Sequence, residues 1–537
     1  MPPRFRRREP MATFELVPDD EREDEPFLAP DGDEPGGRRP LADLRDRALA
    51  RWRSLSRRGR VTLAAGTAVV VAAAATAAVG PGLLDARADR LRAEAVQGLP
   101  GVVGDLSEPL GETWELANGH GTLVTLPGGI VLTTQGTSVS ALDAATGEEL
   151  WQRDVGPYPA CGPQGSSRDD PGTPADTAVC LSGESDDRTV TVLDATGVVL
   201  GERSLGPART DAFDEAAPDG APVVVPAAAG AIAVVEGSTN ATAPWPADDM
   251  PDEDTLRALR ADGWVDPTLR LEDALTGEVR GEATVRLRAQ DLGECGMTQD
   301  EDAAPELMTD PMVDASPSVT SLSVCSASVL VTPDGAVLDV GPDGAWVRPI
   351  PGGGHVLVSE ESTVIDEDGS VVATVPGFLL PPLVDDDPEG PFLVLVGTGD
   401  AEGELRLTAV GPDGAEEWST PTDDLGGVLA RVAGVVVVQD GGGLVGIDVA
   451  TGAEVWARRD LLERAADGSG DWVTGAVTDG TRLLVGISGS GERHRLVALD
   501  LRDGTTVWER ERRGYLEGLQ SIGGHVVAFD GAVHGLG

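Results

Sequence analysis

Beyond residue 109 the chain alternates short apolar runs with turn residues. Gly129–Thr134, Ser138–Leu142 and Glu149–Trp151 form one such group, and the same rhythm returns at 434–456 and 481–508. Runs of four to seven apolar or β-branched residues bounded by Gly, Asp and Pro read as strands joined by tight turns. A three-strand unit of this size cannot bury its own apolar face, so copies must stack on one another. The pattern predicts an all-β repeat domain over 109–537.

A local box marks the units: an apolar strand, Asp, then Thr-Gly or Asp-Gly, then Trp four residues after the Gly. It occurs at Asp143, Gly147 and Trp151, at Asp448, Gly452 and Trp456, and at Asp500, Gly504 and Trp508; Gly414 and Trp418 form a shorter copy. Degenerate copies lie at 193–197, 273–277 and 366–369, with a weaker one at 341–344 followed by Trp346. Each residue type has a structural task. The Asp accepts hydrogen bonds from its own turn, the Gly supplies positive φ, and the Trp packs between neighbouring sheets. The box is therefore scaffold, and no catalytic role is assigned to it. The last residues, 524–535, supply two strands and stop before any Trp, while Gly111–Leu116 supplies the missing strand. First and last segments then share one blade, which removes the exposed edges of an open array. The box count predicts eight blades, with seven as the alternative. The acidic, Pro-rich stretch 241–268 is expected to be a surface loop.

Ala141-Leu142-Asp143-Ala144-Ala145-Thr146-Gly147 with Trp151 resembles the A-L-D-A-x-T-G-x-x-x-W box of the quinoprotein-like (PQQ-binding-like) β-propellers. The resemblance implies a propeller fold; its motif is specific for architecture and weak for activity. With the N-terminal half-pattern described next, the layout resembles single-pass, actinobacterial-type membrane proteins carrying an extracytoplasmic propeller.

Residues 61–84 carry no charge and are long enough to span a bilayer as a helix. Arg51, Arg53, Arg57, Arg58 and Arg60 precede this segment, which orients the N-terminus to the cytoplasm. A cleaved signal peptide is the competing reading, but sixty preceding residues exceed a usual n-region. The expected organisation is a disordered cytoplasmic tail (1–60), a transmembrane helix (61–84), a stalk or linker (85–108) and the propeller (109–537).

The formal net charge of −50 lies almost wholly beyond residue 60, which argues against a nucleic-acid partner. The acidity suits solubility, with a cation-binding surface as the sharper alternative. All four cysteines follow the apolar segment, as in an oxidising compartment. Their contexts match in pairs, a Gly-rich loop and then an apolar run, which predicts Cys161–Cys180 and Cys295–Cys325. A metal site is the rival reading, but CxxC spacing and neighbouring His are lacking. The five His show no paired spacing, and no GxSxG or HExxH appears. No catalytic, cofactor-binding or metal residue is assigned. The sequence thus favours a non-catalytic, membrane-anchored binding or scaffold module for a protein or envelope ligand. The alternative is a PQQ- and Ca²⁺-dependent dehydrogenase. Adjacent cysteines, a mark of the alcohol-oxidising members, are missing, and acidic turns such as 366–369 and 385–387 offer carboxylates for Ca²⁺ but do not match the spaced ligand loop of an EF-hand.

Overall fold

The computed structural model describes residues 87–537 apart from short segments such as 164–173 and 298–305. The tail expected over 1–60 and the membrane span expected over 61–84 lie outside the described residues. Among those that are described, no helix is long and apolar enough to cross a membrane. The transmembrane element of the expected architecture is thus not part of the observed fold.

Among the described residues the main strands form nine blades, not eight or seven. Blade 1 runs Val124–Leu126, Ile130–Gln135, Ser138–Asp143 and Glu149–Asp154, each strand antiparallel to the next. The first strand is buried and the fourth exposed, and blade 8 (Trp472–Thr478 to Thr506–Arg512) repeats the gradient. Blade 2 spans Ala160–Gly162 to Val199–Gly206, blade 3 Val223–Pro226 to Val279–Thr284, and blade 4 Met312–Ala315 to Val337–Leu338. Blade 5 spans Trp346–Pro349 to Val371–Pro376, and blade 6 Phe378–Leu379 to Glu416–Thr422. Blade 7, Leu425–Val432 to Glu454–Arg458, gains a fifth strand, Val384–Asp385, parallel to its first.

Blade 9 explains the miscount. Its strands are Gly518–Ile522, His525–Phe529, Val533–Leu536 and then Glu112–Leu116, which pairs antiparallel with Val533–Leu536. The box lies in the turn between third and fourth strands. In blade 9 that turn does not exist, because the two strands come from opposite ends of the chain. Eight blades carry a turn at the box position and the ninth closes the ring without one. The copy placed at 341–344 lies outside the described residues, and Trp346 opens blade 5. The turn of blade 4 is Thr332-Pro333-Asp334-Gly335, where Gly335 donates its N–H to Thr332 O.

Two segments differ from their expected character. The stretch 241–268 contains a helix, Glu253–Ala261, that buries Leu256 and Leu259 beside Trp264, Leu287 and Leu292. Beside it, Thr242–Pro244, Gly296–Met297 and Glu306–Met308 form a small three-stranded sheet. The expected stalk is helical over 87–96 and then packs into the ring: Val96, Val102, Val103, Leu106 and Leu110 are all buried. Two disulfides are present, Cys161–Cys180 and Cys295–Cys325. The first joins direct cross-strand partners in blade 2; the second ties the segment after blade 3 to a hairpin turn of blade 4. Closing loops of 19 and 30 residues contributes about 3–4 kcal/mol each in the chain-entropy model.

Candidate functional site

The box residues work across blade boundaries. Asp143 accepts from the N–H groups of Ala145 and Thr146 and from Thr146 Oγ1, and Asp448 repeats the arrangement with Ala450 and Thr451. Asp500 accepts from Arg502 N–H, and Gly504 donates its N–H to Asp500 O. These turns hold Gly147, Gly452 and Gly504 at φ of 69°, 70° and 68°. Each glycine faces the Trp of the preceding blade. A Cβ on Gly452 would lie 2.6 Å from Trp418, and the same relation links Gly504 to Trp456, Gly197 to Trp151 and Gly147 to Trp114. Each indole N–H donates to the carbonyl just after the next blade's Asp: Trp114 to Ala144, Trp151 to Ala195, Trp418 to Val449 and Trp456 to Leu501. Trp508 has no following box and donates instead to Leu106 O, in the N-terminal segment. Glycine is thus required twice over, for its backbone angle and for the space a Cβ would take from the ring.

The Trp-free junctions close by other means. In blade 2, Gly201 stands at the Trp position, and a Cβ there would lie 2.9 Å from Leu275 of blade 3. Arg203, two residues on, covers Gly277 and pairs with Glu272 at 3.2 Å. Between blades 3 and 4 the backbones of Gly281 and Gly335 approach directly.

The acidic turn at 385–387 is also structural. Asp385 and Arg431 form a buried bidentate pair, at 2.7 Å from Nε to Oδ1 and 2.5 Å from Nη2 to Oδ2. Asp386 accepts from Ala433 N–H, and burial raises its pKa. Asp366 accepts from Ser370 N–H within its own turn. The residues present therefore do not fit the quinone and calcium that the resemblance brings to mind. The four cysteines form two separate disulfides, the box tryptophans lie between blades with their N–H groups bonded, and Asp366, Asp385 and Asp386 already have partners.

A different cluster forms where the ends of the chain meet. Glu115 and His534 are direct partners across blade 9. Side chains alternate along a regular strand, so Glu112 and Glu115 would face opposite sides. A register shift between Glu112 and Trp114 inserts an extra residue and brings both carboxylates to His534. One ligand atom from each of the three lies within 4.8 Å of the others. His534 is buried, and its Nε2 lies 2.7 Å from Asp530 Oδ1. Its Nδ1 is 3.2 Å from Glu112 Oε2 but lacks the alignment of a hydrogen bond. Burial opposes ionisation of Asp530, yet His534 and Arg512, the latter at 3.0 Å, outweigh it and hold the carboxyl below its usual range. No local spacing announces this cluster, since 422 residues separate Thr113 and Gly535 in the paired strands. Ring closure was its only signal in the sequence.

Nine blades, four of their junctions closed by Trp–Gly contacts, define a quinoprotein-type repeat propeller. The chain belongs to the family described as outer membrane protein assembly factor BamB, whose model matches residues 99–250 and 389–533, more than half of its length. Those two stretches hold every box with a Trp. The unmatched interval holds blades 4 and 5, the helix Glu253–Ala261 and the second disulfide. No curated protein matches the chain in sequence. Among solved structures it is similar to BamB from Moraxella catarrhalis, at 13% identity and a TM-score of 0.36, covering 80% of this chain and 99% of that one. It is also similar to quinohemoprotein alcohol dehydrogenase from Comamonas testosteroni, at 12% and 0.33, covering 80% and 76%. Sqt1 from Saccharomyces cerevisiae matches at 8% and 0.35, covering 80% and 99%.

Proposed function

We propose that this propeller is a non-catalytic binding scaffold that works outside the cytoplasm and engages a protein or another component of the cell envelope. One observation carries the reading: the box residues, the acidic turns and the cysteines all serve the fold. Residues 251–388 lie between the two stretches that the family model matches and hold the helix Glu253–Ala261 beside blade 3. Family membership supports a binding or scaffold role, and full pairing of the cysteines supports an oxidising location. The partner surface is assigned to blades 3–5, with the helix Glu253–Ala261 as its exposed element; Asp254 and Arg257 stand out into solvent.

Crosslinking in cells followed by peptide mapping tests this. Crosslinks to one partner should concentrate within 251–388, and the double substitution Asp254→Arg/Arg257→Glu should remove them while leaving the thermal unfolding midpoint unchanged. Crosslinks confined to the Trp-bearing arc would overturn the surface assignment. Reduction of an electron-accepting dye by the protein supplied with PQQ and Ca²⁺ would overturn the non-catalytic reading.

A further inference from the structure

We infer that Glu112, Glu115 and His534 form a binding site for a divalent transition-metal ion of the Zn²⁺ type, which ties the first strand of the propeller to the last. The argument starts at Asp530, whose Oδ1 lies 2.7 Å from His534 Nε2 and whose Oδ2 lies 3.0 Å from Arg512. Nε2 is thereby engaged, and the other ring nitrogen, Nδ1, faces the glutamates, 3.2 Å from Glu112 Oε2. Nδ1 is buried and has no hydrogen-bond partner among the described residues, because Glu112 Oε2 lies off its line. One ring nitrogen and two carboxylate oxygens thus converge within 4.8 Å of one another, and a cation bonded to all three gives each a partner.

The surroundings match a metal site in a second respect. A ligating histidine usually gives its other N–H to a carboxylate, which fixes the tautomer and raises ligand basicity. Asp530 has that position, and Arg512 steadies Asp530 in turn. One imidazole nitrogen with two carboxylates favours Zn²⁺ over the oxygen-seeking Ca²⁺ and Mg²⁺, and three protein ligands leave the fourth tetrahedral position to water. The bulge after Glu112 brings Glu112 to the same side as Glu115 and His534, while Thr113 Oγ1 donates across the pair to Gly535 O.

The test is calorimetric titration of the full chain, stripped with EDTA, using ZnCl₂ and then CaCl₂ and MgCl₂. One Zn²⁺ should bind per chain, at least tenfold more tightly than either alkaline-earth ion, and should raise the unfolding temperature. Glu115 is exposed, so Glu115→Gln leaves the fold intact and should weaken Zn²⁺ at least tenfold. Asp530→Asn, acting through the histidine, should weaken it 10–100-fold. His525→Gln, an exposed histidine in the same blade, is the control and should change nothing. Absence of Zn²⁺ binding in the natural chain overturns the inference, as does binding of equal strength in Glu115→Gln and His534→Gln.

Discussion

A Cβ on Gly504 would stand 2.5 Å from ring carbon Cε3 of Trp456, one blade away. Gly414 has a similar backbone angle, φ 79°, yet nothing lies within 4 Å of the same position, because the fourth strand of the preceding blade, Val371–Pro376, carries no Trp. The pair separates two costs that normally travel together. Gly414→Ala should lose only the left-handed backbone penalty, about 1–2 kcal/mol. Gly504→Ala should lose about 1–3 kcal/mol more through the forced displacement of the ring. Chemical denaturation of both variants measures the difference, and equal losses would show that the indole yields without cost.

Trp456 is buried and bonded to Leu501 O at 2.9 Å. Trp456→Ala should cost about 3–5 kcal/mol by cavity formation. Trp456→Phe keeps most of the packing but leaves the carbonyl without its donor, so it should cost about 1–3 kcal/mol. Denaturant midpoints compared at constant slope check both values.

The Asp385–Arg431 pair joins the extra strand of blade 7 to its neighbour. Removing one partner leaves a buried charge, so Arg431→Met alone should cost about 3–5 kcal/mol. Arg431→Met combined with Asp385→Asn should cost much less than the sum of the two single changes. A double-mutant cycle reads the coupling directly.

His355 is fully buried in blade 5, and neither ring nitrogen has a hydrogen-bond partner among the described residues. Burial pushes its pKa down from 6.5 to about 4. The unfolded chain therefore takes up a proton near pH 6.5 that the folded chain refuses until about pH 4. The contribution to stability is complete above pH 6.5 and is lost as pH falls from there to 4, by about 3 kcal/mol. His355→Leu removes this dependence. The stability difference between variant and natural chain should shift in the variant's favour by that amount between pH 7 and pH 4, measured by urea unfolding across the range.

The repeat geometry was legible because it is local: Asp, Gly and Trp within nine residues report one turn and the strand after it. The junction was not, because Trp456 and Gly504 belong to adjacent copies and only the ring brings them together. The blade number failed for a related reason. Counting boxes counts turns between third and fourth strands, and the closing blade has none. Degenerate copies misled where their compensation lay elsewhere in the chain. Gly201 reads as loss until Leu275 and Arg203 are seen beside it. Three ligand atoms assembled from residues 112, 115 and 534 leave no spacing to find.

The pairing of Glu112–Leu116 with Val533–Leu536 also sets a clock on biosynthesis. The strand made first waits for a partner 422 residues downstream. At about 5–20 residues per second, ribosomes take about 20–80 s to supply it. Throughout that interval the nascent ring is an open arc with two unpaired edges. Emergence of Val533–Leu536, rather than the folding of any single blade, is the moment at which this ring becomes a closed molecule.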